Sequence, residues 1–140
     1  IRIISTIINE NVFCANSCNY IISKKSNNFV SIFSLLGVFN SKLTNWIFRK
    51  TSTNSNVNCY EVNNLKIPKN LMVYNSILES TVLNILELKS KRINTSEFET
   101  IVDLIVFKIY GLSYNDVKII DPDFSTNEFD YNNFSIHQTS

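Results

Sequence analysis

The period of the hydrophobic residues changes at Ser31, and that change limits what the chain can fold into more than any other feature. Before it, apolar residues come in short β-branched or aromatic runs, at positions 1–8, 12–14 and 20–23, broken by Asn-rich turns; such runs read as strands. Tyr20 and Ile22 alternate with less bulky neighbours, as a strand packed on one face requires. After it, Ile32, Leu36, Phe39, Leu43 and Trp46 or Ile47 recur at three- and four-residue steps, which predicts one continuous helix to about Phe48. The opposite face carries Asn40, Lys42 and Asn45, and Arg49 with Lys50 close the helix where cations complement the C-terminal dipole. The expected fold class is therefore α+β: a small N-terminal β-rich sheet with a packed helix, followed by a C-terminal helical segment.

The C-terminal part is read from its caps. Beyond Pro68, Met72, Ile77 or Leu78, Val82, Ile85 and Leu88 or Lys89 predict a second amphipathic helix running into LKSKR. Ser96 with Glu99 forms a capping-box pattern that opens a third, with Phe98, Ile101 or Val102, Ile105 and Ile109 on one face and Gly111 as its stop. Ser113 with Asp116 starts a short fourth, ended by Asp121 and Pro122. The chain then divides into residues 1–70, strand-like with one helix; 71–121, a helical segment; and 122–140, a polar acidic tail expected to dock loosely.

Composition excludes several classes. With 44% hydrophobic, 12% aromatic and 18% charged residues over 140 positions, the chain can bury a core and is not disordered. The opening residues lack the pattern of a signal peptide, and no apolar run approaches the roughly 18 residues that span a bilayer, so a cytoplasmic protein without membrane contact is expected. Ile1 at the first position, with Met72 the sole methionine, points to a piece of a longer polypeptide. Cys14, Cys18 and Cys59 are odd in number and His137 stands alone, so neither a closed disulfide set nor a metal site nor a nucleophile–base pair is expected, and the thiols read as reduced and at least half-buried.

Net charge looks uninformative at +1, yet it divides sharply. Residues 1–70 hold eight cations against two carboxylates, a formal +6, and residues 71–140 hold five against ten, a formal −5. An electrostatic objection to nucleic acid applies only to the second half. Within the first half, Lys24, Lys25 and Asn27 lie in a basic turn, and residues 51–58, TSTNSNVN, carry seven short hydrogen-bonding side chains and no charge between a basic helix end and a strand-like segment at 59–65. A polar loop anchored in this way suits the reading of hydrogen-bond patterns, and Asn can pair bidentately with adenine.

Two stretches go beyond pattern. FNSKLTNWIFRKTSTNSNVNCYEVNNLKIPK, residues 39–69, resembles the C-terminal target-recognition region of type IIG restriction-modification enzymes and their adenine-N6 DNA methyltransferase relatives, a TaqI-like specificity domain in which LLNSKLxNWYFRK leads through a polar loop to PIPK. TSEFETIVDLIVFKIYGLSYNDVKII, residues 95–120, is similar to the closing helix pair of that family, IDELVYKLYGLTEEEIKII. The chain departs from the pattern at Cys59, where the family has Gly, and at Lys66, where it has Pro. It also holds no counterpart of the (N/D)PP(Y/F) methyltransferase motif and no nuclease cluster, so the fragment itself carries no catalytic residue.

The resemblance implies a sequence-specific DNA-recognition module, with residues 1–70 the C-terminal part of a DNA target-recognition domain and 71–121 a helical segment that braces it. Its chemistry would lie upstream, in a methyltransferase domain that would use S-adenosylmethionine, and Mg if a nuclease accompanies it. The module's partners would be double-stranded DNA and that upstream domain. Lys24, Lys25, Arg49, Lys50 and Lys69 would contact phosphates, Asn54, Asn56, Asn58 and Tyr60, or the Asn27 turn, would reach base edges, and Thr51 and Ser52 would belong to the same DNA-binding surface. The competing classes are the specificity subunit of a type I restriction-modification system, which would carry two such domains and long spacer helices, and a protein-interaction module with no DNA contact.

Overall fold

The computed structural model describes residues 2–8, 12–13, 15, 18–22, 30–52 and 56–135, and its elements among these are seven helices. They are α1 (Ile32–Asn40), α2 (Lys42–Thr51), α3 (Cys59–Asn63), α4 (Leu71–Ser90), α5 (Ser96–Ile109), α6 (Tyr114–Ile120) and α7 (Glu128–Asn133). No strand occurs among the described residues, so the expected α+β class with its N-terminal sheet is replaced by an all-helical one. The reason is visible in residues 2–8. Ile3, Ser5 and Ile7 turn inward and their neighbours outward, as in a strand, but the main-chain partners are asparagine side chains: the Ile3 N–H donates to Asn45 Oδ1 at 2.7 Å and the Ser5 N–H to Asn40 Oδ1 at 2.9 Å. An extended segment whose partners lie on a helix forms no ladder. The strand-like stretch at 59–65 begins instead with α3, opened by Asn58 and Glu61, whose carboxylate accepts from the Asn58 N–H at 2.8 Å.

The single helix expected from Ser31 to Phe48 is two. Ser41 is extended (φ −64°, ψ 156°) and serves both sides of the break. Its hydroxyl donates to the Val38 carbonyl at 2.7 Å, one of the orphan acceptors at the end of α1, and accepts from the Thr44 N–H, one of the orphan donors at the start of α2. Thr44 Oγ1 adds a second bond to Val38 O at 2.7 Å. Apolar periodicity passes through this break undisturbed, because Leu36, Val38, Leu43 and Phe48 are buried on both sides of it.

The core lies where α1, α4 and α5 meet, with α2 and α6 against its rim. Leu71, Leu78, Val82 and Ile85 of α4 face Val102, Ile105, Val106 and Ile109 of α5. Met72, expected in the core, is half exposed, and Leu71 one place earlier is fully buried in its stead. Gly37 permits α1 to approach α4 closely: a Cβ there would stand 2.9 Å from Val82 Cγ2 and 3.2 Å from Leu78 Cδ1. The start of α1 is fastened to the same helix, since Ser31 Oγ donates to Glu79 Oε1 at 2.7 Å and the Ser31 N–H to Asn75 Oδ1 at 2.8 Å.

Helices α4 and α5 end alike. After α4, the Ile93 N–H bonds Leu88 O and the Arg92 N–H bonds Lys89 O; after α5, the Leu112 N–H bonds Phe107 O and the Gly111 N–H bonds Lys108 O. Both turns need a left-handed residue, which is Gly111 (φ 66°) in one and Arg92 (φ 58°) in the other. Gly111 and the Ser113–Asp116 capping box stand where the sequence places them. The stretch read as a loose tail instead carries α7 and buries Phe124 and Tyr131 against Phe107 and Tyr114. The Tyr131 hydroxyl donates to Leu112 O at 2.7 Å, and Lys108 Nζ lies 3.9 Å from its ring centroid.

Candidate nucleic-acid interface

The candidate site begins at the C-terminal end of α2. Leu43, Thr44, Asn45 and Phe48 are buried by the rest of the fold, so the last turn emerges with Arg49 and Lys50 exposed. Arg49 Nε donates to Asn45 O at 3.3 Å, and Lys50 Nζ lies 5.7 Å from the Trp46 ring centroid, both contacts laying the cations along their own helix. Thr51 Oγ1 donates to Ile47 O at 3.0 Å and the Ser52 N–H to Phe48 O at 2.8 Å, so these two candidates complete the helix end.

Across the loop, α3 gathers the next group. The Asn58 side-chain amide donates to Glu61 Oε2 at 3.1 Å, and Ser52 bonds the same carboxylate through its side chain. These bonds, Ser52 first and the Asn58 N–H second, hold the Glu61 carboxyl below the usual range, so it is ionised at neutral pH. Glu61 thereby ties the end of α2 to the start of α3. Asn19 adds the N-terminal segment: its Nδ2 donates to Val57 O at 2.6 Å and its Oδ1 accepts from Cys59 Sγ at 2.7 Å. Asn56 and Tyr60 are exposed beside this junction, as are Tyr20 and Ile22.

The structure thus brings together Ser52, Asn58 and, through the chain, Asn56, Tyr60 and the Arg49–Lys50–Thr51 turn. Lys69 is exposed in the turn before α4, and no hydrogen bond or ion pair joins it to that group. Lys24, Lys25, Asn27 and Asn54 lie outside the described residues. Two residues that organise the junction, Asn19 and Glu61, were not among the sequence candidates. For Glu61 the signal was present, an Asn-x-x-Glu capping pattern from Asn58, whereas nothing local marks Asn19.

Cys18 and Cys59 are free and exposed, not half-buried as expected, while Cys14 and His137 lie outside the described residues. No group of three or more His, Cys, Asp or Glu among the described residues is arranged to hold a metal. No helix among them is long and apolar enough to cross a membrane. Comparison with protein-family models, with curated proteins and with solved structures gives no match to this chain.

Proposed function

We propose that the chain is the DNA-recognition part of a type II restriction-modification enzyme that methylates adenine N6 in duplex DNA. The observation that carries this reading is the exposed Arg49–Lys50 turn joined through Ser52 and Glu61 to Asn58 beside the exposed Asn56, within the half of the chain that holds a formal +6. The two sequence stretches described above supply the family. In this reading Arg49 and Lys50 contact phosphates and set the register, contributing affinity without sequence information.

Base edges fall to the loop. Asn56 is exposed, whereas the Asn58 amide is engaged by Glu61, so Asn56 is the better reader of the two and Asn58 shapes the loop. Methyl transfer and the extrusion of the adenine belong to the upstream methyltransferase domain, which S-adenosylmethionine would serve.

The test is a salt titration of duplex binding by the full parent enzyme. Replacing Arg49 and Lys50 together by alanine should weaken binding to all duplexes and lower the slope of log K against log salt by up to about two. Asn56→Ala should alter discrimination among sites. Unchanged salt dependence in the double variant overturns the reading. Exposed Tyr20, Ile22 and Tyr60 favour a protein-binding face as the second reading, which salt-independent behaviour would support.

A further inference from the structure

The junction of α1 and α2 holds two asparagines in the same posture. Asn40 Nδ2 donates to Leu36 O at 3.1 Å and Asn45 Nδ2 to Ser41 O at 3.1 Å, in each case the carbonyl four residues earlier. Each amide is thereby oriented by its own helix, with its remaining groups turned outward. Those groups meet only main chain. Asn40 Oδ1 accepts from the Ser5 N–H at 2.9 Å while its Nδ2 donates to Ser5 O at 3.0 Å, and Asn45 Oδ1 accepts from the Ile3 N–H at 2.7 Å. Asn40 therefore offers Ser5 the donor and acceptor that a neighbouring strand would.

Burial along residues 2–8 follows the same alternation. Ile3 is buried at 7% exposure and Ser5 and Ile7 are half-buried, with Ile7 against the core, whereas Arg2, Ile4, Thr6 and Ile8 are exposed. In an extended chain the N–H and C=O of alternate residues point to the same edge, so Ile3 and Ser5 present both to the asparagines and Ile4 and Thr6 present theirs to the other side. Among the described residues the Ile4 and Thr6 amides have no partner.

We infer that Asn40 and Asn45 form a docking site for extended polypeptide main chain, which residues 2–8 of this chain occupy, and that the docking is indifferent to the side chains at positions 2, 4, 6 and 8. The proposal stands apart from the DNA reading and goes beyond it. It assigns the two asparagines to holding polypeptide, not nucleic acid, and it leaves the outward residues of the docked segment free to differ without moving the backbone that carries them.

Amide hydrogen exchange on the whole chain tests it. Ile3 and Ser5 should exchange more slowly than Ile4 and Thr6. Asn45→Ala should speed Ile3, and Asn40→Ala should speed Ser5, by about five- to tenfold. Replacing Ile4 and Ile8 by threonine should leave the protection of Ile3 and Ser5 within twofold. Ser5→Pro removes the donor that Asn40 reads and should release residues 2–8 with the helical amides still protected, while Ser5→Ala should not; this pair avoids any change within a helix. Equal exchange at Ile3 and Ile4 in the unaltered chain, or loss of protection on changing Ile4 and Ile8, overturns the proposal.

Discussion

Helices α1 and α2 are neighbours in sequence but join the rest of the molecule by opposite chemistry. Beyond the polar contacts of Ser31 and Ser34 at its start, helix α1 meets α4 through an apolar seam, in which Gly37 lets the two backbones close on Val82 and Leu78. Helix α2 meets α5 and the end of α6 through a polar one: the Lys42 N–H donates to Asp103 Oδ1 at 2.8 Å, and Lys42 Nζ pairs with Asp121 Oδ2 at 2.6 Å. Asp103 and Asp121 are both buried, at 8% exposure. Burial pushes the Asp103 carboxyl up to about 6, against the opposing pull of the Lys42 N–H and charge; Asp121 and Glu99 add to the rise. The apolar seam gains from every atom it buries, whereas the polar seam carries an ionised group whose removal from water is only partly offset.

The largest effect should come from breaking the apolar seam. Leu78→Ala, at a fully buried position against Gly37, should lower unfolding free energy by about 2–5 kcal/mol in denaturant titration. The polar seam should respond with the opposite sign. Asp103→Asn retains an oxygen for the Lys42 N–H and removes the charge, so it should raise stability at pH 7 by up to about 3 kcal/mol. Because burial raises the folded carboxyl to about 6 while the unfolded one keeps the ordinary aspartate value of 3.8, the native state holds its proton more tightly between those values. Stability of the unaltered chain should therefore fall as pH rises from about 4 through 6, and the Asn variant should lose that contribution to the slope. An unchanged profile would deny the seam its charge.

Smaller changes sharpen the contrast. Gly37→Ala gains helix propensity but drives a methyl into the β-branched Val82, whose stiff rotamer yields poorly, for a net loss of about 1 kcal/mol. The two matched helix ends provide the smallest effect. Arg92→Gly should stabilise by about 0.5–1 kcal/mol because arginine there holds a left-handed conformation, and Gly111→Ala should destabilise by a similar amount with no clash, since nothing lies within 4 Å of the added methyl.

The same contrast explains what was legible in the sequence. Helices α4 to α6 were readable because their signals are local: Val82, Ile85, Ile105 and Ile109 recur at helical spacing, and Ser113, Asp116 and Gly111 mark the ends within a turn. The polar seam joins Lys42 to Asp103 and Asp121, positions whose relation no local period expresses. The break at Ser41 was missed because apolar spacing continued across it while the decision lay with one hydroxyl. The sheet was an error of another kind. The β-branched run at 1–8 signalled a strand, and every second residue from Ile3 to Ile7 is indeed turned inward, but a strand also needs a partner, and Asn40 and Asn45 took that place. Of the candidate site, the basic helix end was legible; the Glu61 junction required knowing that residues 59–63 are helical.

The aromatic box around Tyr131 bears on how the molecule would age in solution. The ring packs on Phe124, which in turn packs on Phe107, and Lys108 lies over it, so α7 works as a cover over the end of α5. A protease cut between Asp121 and Glu128 would remove that cover while sparing the α1–α4–α5 centre. The nicked chain would keep its helical signal yet expose a contiguous apolar patch, and self-association would precede any loss of fold.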